Sequence, residues 1–321
     1  MKKTPLVVVI GSFVQDLTFL CDQFPAPGET TVGQFVTGPG GKGSNQAVAA
    51  GRTGVPTLFI GAVGPDAFAR DAEKFYAAEG IAARFIPKPG HATGTAAILV
   101  NAAGQNEIIV ALGANARLQP RDIAPALIRG ARVVVCQHEA SLPVNAHVFR
   151  LARRVGAKTV LNPAPMRTDF DPTILPLTDV LIPNESEFVA LVNLLKLNSG
   201  KKLTESTLQK LAPEKLHRLC RRFRVPTVIV TLGSKGCLVS QAGGFTALPA
   251  CRGVKVVDTT GAGDAFCGGF AAGLVQFSGD LIAAARYANA VAALSVTKIG
   301  TAPAMPTAPE IRRFLRQRRH D

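Results

Sequence analysis

Arg132-Val133-Val134-Val135-Cys136-Gln137 decides the fold class, because of the pattern that follows it. The run is continuously apolar at its centre, as a strand buried on both faces is. Residues 145–154 then carry a helix pattern, and Lys158–Leu161 is a second β-like run. Strand 180–182, helix 186–195, helix 207–222 and strand Thr227–Thr231 continue the series. Strand alternating with helix predicts an α/β fold: a mostly parallel central sheet with helices on both faces.

Toward the N-terminus, residues 6–11 read as a further buried strand, with Asp16 in the loop after it. Residues 44–52 are Ala-rich and helical, Thr57–Val63 is β-like, and 67–78 are helical. Two regions break the rhythm. Short β-like pieces over 17–35 are interrupted by Pro25, Pro27 and Gly28, and runs at 92–100 and 107–112 flank Asn101-Ala102-Ala103-Gly104 as a hairpin. They predict a small separate β-sheet, a lid at one end of the main sheet. Toward the C-terminus, residues 196–204 are polar and read as a surface excursion. Two short strands fall near 237–240 and 244–247, and Val254-Lys255-Val256-Val257 reads as one more. Helices at 265–276, 280–297 and 309–317 close the chain.

The 321 residues are enough for one large α/β domain or two smaller ones. With 47% hydrophobic and 18% charged residues, a substantial core is available. No apolar run reaches the roughly 18 residues of a membrane span. Met1-Lys2-Lys3 precedes an apolar stretch too short for a signal peptide. The six cysteines form no Cys-x-x-Cys pair and several sit in apolar runs, which points to buried thiols and a reducing, cytoplasmic setting rather than to bound metal. The net charge of +14 raises nucleic-acid binding. Against it, the basic residues are scattered apart from clusters such as Arg153-Arg154 and the tail Arg312-Arg313, Arg316 and Arg318-Arg319, and Trp is absent. Solvated helix faces with a field that favours anionic substrates such as nucleotides account for the charge, and nucleic acid is not an expected partner.

The candidate chemistry lies in Asp258-Thr259-Thr260-Gly261-Ala262-Gly263-Asp264. A Thr- and Gly-rich turn entering a helix presents unpaired N–H groups and the positive end of the dipole, which suits phosphate. Asp264 inside such a site reads as a general base for a hydroxyl attacking phosphorus, or as a plain helix cap. Gly38-Pro39-Gly40-Gly41-Lys42-Gly43-Ser44-Asn45-Gln46 matches Gly-x-Gly-x-x-Gly, but it does not follow the first strand and has no acid near 58–63, so the dinucleotide reading fails. Lys42 is followed by Gly43, so it is not a P-loop either. What remains is a Gly-rich loop bringing Lys42 and Asn45 to a helix start, groups that suit sugar hydroxyls. Asn184 and Glu187, three apart at another helix start, suit Mg²⁺ directly or through its waters, and serve equally as caps. Thr231-Leu232-Gly233-Ser234-Lys235-Gly236 is either a nucleotide-lining turn or a tight turn alone. Glu139, beside His138 at a strand end, either accepts from a sugar or is simply solvated. No Gly-x-Ser-x-Gly and no His-Glu-x-x-His occurs, so serine-hydrolase and zinc-peptidase readings lack support.

The two Gly-rich stretches together resemble the paired signatures of the PfkB-type carbohydrate kinases, in their ribokinase-like form. Asn162-Pro163-Ala164-Pro165, Pro183-Asn184-Glu185-Ser186-Glu187, the 231–236 turn, and Gly104-Gln105-Asn106 with Gly113-Ala114-Asn115 resemble the same family. The similarity runs from about residue 6 to about 306. It implies a single ribokinase-like domain over 1–321, with lid strands at about 17–37 and 92–112 inserted in it, and often a homodimer through the lid. It implies transfer of the γ-phosphoryl of ATP to a sugar hydroxymethyl, the 5-position of D-ribose leading and 2-deoxyribose or another furanose or nucleoside as the alternative. A non-catalytic sugar- or nucleic-acid-binding protein on the same fold is the rival from another class.

By position, the resemblance makes Asp264 the base and Gly261, Ala262 and Gly263 the anion hole. Asp16, Gly41, Lys42, Asn45 and Glu139 hold the sugar. Thr231, Gly233, Gly236 and Asn289, with Asn184 and Gly263, line the nucleotide. Asn184 and Glu187 organise Mg²⁺, and a K⁺-type monovalent cation site resembles one formed by Asp258 and Thr260 with carbonyls of Ser295, Lys298 and Gly300. Val14 departs from those ribokinases that carry Asn two residues before the sugar-binding Asp. Loss of that amide relaxes selection for a 2-hydroxyl.

Overall fold

The computed structural model describes residues 4–318; Met1-Lys2-Lys3 and the tail residue Arg319 lie outside the described residues. In chain order the first half contains β1 (Val7–Ile10), β2 (Val14–Cys21), β3 (Gln34–Gly40), α1 (Lys42–Arg52), β4 (Thr57–Val63), α2 (Ala67–Glu79), β5 (Ala82–Pro87), β6 (Gly94–Asn101) and β7 (Asn106–Ala111). There follow β8 (Val133–Cys136), α3 (Leu142–Arg154), β9 (Lys158–Leu161), β10 (Val180–Leu181), α4 (Glu185–Leu194), α5 (Glu205–Gln209), α6 (Pro213–Arg221) and β11 (Thr227–Thr231). The chain ends with β12 (Cys237–Gln241), β13 (Gly244–Leu248), α7 (Ala262–Gln276), α8 (Leu281–Ser295) and α9 (Ala308–Gln317).

Nine strands form the main sheet in the order β13-β12-β11-β10-β9-β8-β1-β4-β5. Pairing is parallel from β11 through to β5 and antiparallel for β12 and β13. Successive side chains of a strand point to opposite faces, and the central strands divide accordingly. Val7 and Val9, with Val133 and Val135, enter the core beneath α1, α7 and α8, while Val8 and Ile10, with Val134 and Cys136, enter the core beneath α3, α4 and α6. Both faces are dry, which is why these strands read as unbroken apolar runs. The second sheet, β3-β2-β6-β7, is the lid: β2 pairs with β6 in parallel, and the other two pairings are antiparallel.

Several expectations shift in detail. Asp16 is on strand β2, paired with Gly38, and not in a loop; Gly38 and Gly40 are likewise in β3. Residues 254–257 are not a strand: Val256 and Val257 are half-exposed and only the Val257 N–H reaches a neighbour, the Val296 carbonyl. The helix expected over 207–222 is two, because Pro213 has no N–H for the ladder and sits at the first position of α6. Strand β5 went unread, since its alternating residues carry Arg84 and end on Pro87 at the sheet edge.

Two close approaches set up the site. A Cβ on Gly268 would lie 2.3 Å from the Gln46 carbonyl oxygen, so only glycine lets α7 press this tightly on α1. Gly41, at φ 89°, turns the chain from β3 into α1 in a conformation that other residues resist. No described helix is long and apolar enough to cross a membrane.

Candidate active site

Asp264 occupies the third position of α7, directly after the left-handed N-cap Gly261, which offers no side-chain cap. The helix therefore begins at its positive end without a side-chain cap; of its first N–H groups, that of Ala262 donates to the Thr259 carbonyl at 3.2 Å. The carboxylate is buried, and both of its oxygens accept amide hydrogens from α1: Oδ2 from Asn45 Nδ2 at 3.0 Å and Oδ1 from Gln46 Nε2 at 2.9 Å. A cleft of about 140 Å³ opens above them, walled by Lys42, Asn184, Glu187, Thr231, Gly261, Ala262, Gly263 and Asp264 among others. Eight of the residues singled out in the sequence, drawn from four separate segments, thus share one wall.

On the far side of Lys42 lie the remaining sugar candidates. Glu139, after the end of β8, turns Oε2 toward the N-terminus of α1, where it accepts from Lys42 N at 2.8 Å and from Ser12 Oγ at 2.5 Å. Asp16 Oδ2 accepts from Thr301 Oγ1 at 3.3 Å. Asn45 is buried, and its Oδ1 has no hydrogen-bond partner. Burial, with the negative charges of Glu139 and Asp264 adding to it against the Thr301 hydrogen bond, pushes the Asp16 carboxyl up to about 6. The Asp264 carboxylate, aided by Glu139 and Glu187, raises Lys42 above the usual lysine range in spite of burial.

Asn184 and Glu187 form a reciprocal cap at the start of α4. Asn184 Oδ1 accepts from Glu187 N at 2.8 Å, and the Glu187 oxygens accept from Asn184 N and Asn184 Nδ2, each at 2.9 Å. Burial pushes the Glu187 carboxyl up. The amide oxygen and one carboxylate edge are already engaged, so this donor set fits a hydrated Mg²⁺, contacted through water, better than a stripped ion. Among the described residues no three His, Cys, Asp or Glu side chains cluster as a metal cage. The two loops expected around a monovalent cation do meet: Asp258 accepts from Thr260 N through Oδ1 and from Gly300 N through Oδ2, both at 2.9 Å. A carboxylate with adjoining loop carbonyls is a hard-oxygen set that fits such an ion. In that loop, however, the Ser295 carbonyl accepts from Lys298 N at 3.3 Å, and the Lys298 side chain pairs with Glu310 at 2.7 Å.

Gly233, Gly236 and Asn289 are not walls of the 140 Å³ cleft. Gly233 and Gly236 shape the β11–β12 turn, closed by Leu232 N to the Gly236 carbonyl at 2.8 Å, and Asn289 on α8 donates to the Pro249 carbonyl at 3.3 Å. Sequence reasoning gave no role to Ser12, Gln46, Gln137, Asn162 and Thr301, although Gln46 and Asn162 lie in the motifs quoted above. The usable signal was position: Gln137 and Asn162 directly follow β8 and β9, at the carboxyl ends of parallel strands, where α/β sheets bind ligands.

A buried acid under a helix N-terminus, with a lysine and a Mg²⁺-compatible pair across one cleft, defines a phosphotransferase site. The pfkB family carbohydrate kinases match this chain over residues 4–308, and the chain belongs to that family. It is a carbohydrate kinase. It is 38% identical over 312 residues to a ribokinase of Mus musculus, covering 95% of this chain and 93% of that one. It is 35% identical over 313 residues to a deoxyribokinase of Salmonella typhi, covering 96% and 98%. The solved structure of Arabidopsis thaliana ribokinase complexed with ribose and ATP superposes with a TM-score of 0.83 at 29% identity, covering 98% of this chain and 99% of that one.

Proposed function

We propose that this protein transfers the γ-phosphoryl of ATP to the 5-hydroxymethyl of D-ribose, giving ribose 5-phosphate. The observation that carries the reading is Asp264: a buried carboxylate held between two amides at the N-terminus of α7, facing the same cleft as Lys42 and Glu187. In this reading Asp264 takes the proton of the attacking hydroxyl. The N–H groups of Gly261, Ala262 and Gly263 stabilise charge on the transferring phosphoryl, and Lys42 adds a cation at the same point. Asp16, Gly41, Asn45 and Glu139 hold the sugar, with the unpartnered Asn45 Oδ1 free to accept from a hydroxyl. Thr231, Gly233, Gly236 and Asn289 line the nucleotide. Mg²⁺, when bound, neutralises the phosphate oxygens, and Asn184 and Glu187 hold its waters. K⁺, when bound, would be held between the Asp258–Thr260 and Ser295–Gly300 loops and would steady the turn that leads into α7.

The chain works as one ribokinase-like domain carrying its lid. The lid face turned away from Asp16 exposes Phe19, Phe35 and Ile109, and an apolar face of this kind supports a homodimer through the lid. All six cysteines are free thiols, which supports a cytoplasmic setting.

Val14 supports the second reading, 2-deoxyribose. It opens β2 two residues before Asp16, its backbone N lies against Gly41, and its side chain offers no amide to a 2-hydroxyl. An ADP-release assay over ribose, 2-deoxyribose, fructose, nucleosides and sugar phosphates separates them. The expected result is the highest kcat/KM with ribose. A preference for 2-deoxyribose moves the assignment, and indifference to every furanose overturns it. Full chelation of divalent ions should stop turnover; activity that persists refutes the role given to Asn184 and Glu187.

A further inference from the structure

Asn45 entered the site as a sugar ligand, but its neighbour Gln46 has no place in the chemistry described so far. Its side chain is fully buried and makes three hydrogen bonds. Nε2 donates to Asp264 Oδ1 at 2.9 Å and to Asn162 Oδ1 at 3.1 Å, and Oε1 accepts from Gln137 Nε2 at 2.7 Å. Asn162 in turn donates Nδ2 to the Ile182 carbonyl at 2.9 Å and to Glu187 Oε2 at 3.4 Å. An amide has donors on one side and an acceptor on the other. Rotating Gln46 by half a turn would set its carbonyl against both Asp264 Oδ1 and Asn162 Oδ1. Its partners therefore permit one orientation only, and that orientation aims a donor at the carboxylate.

We propose that Gln46 is a positioning residue for phosphoryl transfer: it fixes the rotation of the Asp264 carboxylate and, through Asn162, ties it to Glu187 across the cleft. This rests on the reading of Asp264 as the base. A carboxylate turns freely about its last bond unless something holds it, and a base works only with a lone pair within hydrogen-bond reach of the hydroxyl. Gln46 and Asn45, one on each oxygen, set that angle before the sugar arrives, so the reaction bears no cost of reorganising it. Other charged or titratable groups facing Asp264 are Lys42 from α1, Asp16 from β2, Glu187 from α4 and the Cys267 thiol from α7, with Glu139 beyond Lys42. Among the described residues, the hydrogen-bond partners of the Asp264 carboxylate are Asn45 and Gln46.

Gln46→Glu and Gln46→Met test the assignment. The glutamate keeps the volume and the Gln137 bond but places an acid where the donor was. Two carboxyls at that distance share a proton, so the acid limb of the kcat/KM profile should move to higher pH. At neutral pH kcat should fall about 10²-fold, the scale of a misplaced catalytic group, with sugar KM nearly unchanged and partial recovery in alkali. Gln46→Met removes the donor without adding charge. It should lower kcat by about tenfold with a smaller movement of the limb. Lower melting temperatures in both variants, with the acid limb in its wild-type place, would overturn the proposal. A readout independent of turnover is the ¹³C carboxyl resonance of Asp264, identified by its loss in Asp264→Asn. It should titrate at higher pH in Gln46→Glu than in the wild type, and identical titrations refute the role of Gln46. A wild-type protein that phosphorylates no sugar refutes the kinase reading of Asp264 instead, and the resonance still decides the contact.

Discussion

Every residue of β1 in the main sheet is buried, and every residue of β7 in the lid is exposed. Both strands carry a run of β-branched residues, the four of Val7-Val8-Val9-Ile10 in one and the three of Ile108-Ile109-Val110 in the other. Composition is alike; surroundings differ. In β1 the side chains divide between two packed cores and fix the sheet that presents α1, α7 and the strand ends to the cleft. In β7 Ile109 shares a face with Phe19 and Phe35, whose rings lie 5.2 Å apart, while Ile108 and Val110 point to the other face, and all three stay exposed. The proposed catalytic end is thus built from one chain, with the amides of Asn45 and Gln46 already on Asp264. The lid leaves apolar side chains exposed, and the proposed homodimer would cover one of its faces.

The contrast breaks first at Asp264. Asp264→Asn should cost about 10²–10⁴-fold in kcat, the usual worth of a general base, in a protein that still folds. Near-normal turnover would mean that the rigid end does not house the base. Next comes the hinge between the two regions, Asp16, which lies on a lid strand but reaches the sugar candidates. With burial lifting its carboxyl to about 6, it is ionised above that pH and protonated below it. The ionised form accepts from sugar hydroxyls, so affinity should be fully present near pH 7 and lost as pH falls through 6. The ionised fraction drops about tenfold between pH 7 and pH 5. Calorimetric titration with ribose reads this directly, and a flat Kd contradicts it.

Smaller effects belong to the lid itself. Ile109 is 73% exposed, so Ile109→Asp leaves each chain folded. It should bring the light-scattering mass down to the 33.6 kDa of one chain and raise sugar KM by a few-fold, since the lid then closes without its neighbour. A wild type that already weighs one chain contradicts the dimer. The smallest expected change is in the cation loops: turnover should be higher in K⁺ than in a bulky organic cation, and equal rates would leave Asp258 a purely structural link between Thr260 and Gly300.

These differences also explain what the sequence disclosed. Strands Thr57–Val63, Lys158–Leu161 and Thr227–Thr231 were legible to the residue, because burial on both faces enforces unbroken apolar runs between polar or glycine boundaries. Val254-Lys255-Val256-Val257 has the same local character yet forms no strand, since no sheet edge receives it. Asp264, Lys42, Asn184 and Glu187 were legible because their chemistry sits in short, dense motifs. Gln46 was not. Its partners are 91, 116 and 218 residues away in the chain, and in an Ala-rich helix one glutamine carries no mark of what it touches. Glu139 was placed as a sugar ligand, but its hold on the N-terminus of α1 became visible only when β8 and α1 were set side by side.

The central claim is that the centre built on Asp264 moves phosphorus to a sugar hydroxymethyl. Phosphorus NMR of the product made from ribose and ATP tests it most directly. A phosphate ester on the 5-carbon couples to two methylene protons and gives a triplet, which is the predicted result. A doublet, from an ester on a carbon bearing one proton, or inorganic phosphate alone, would contradict it.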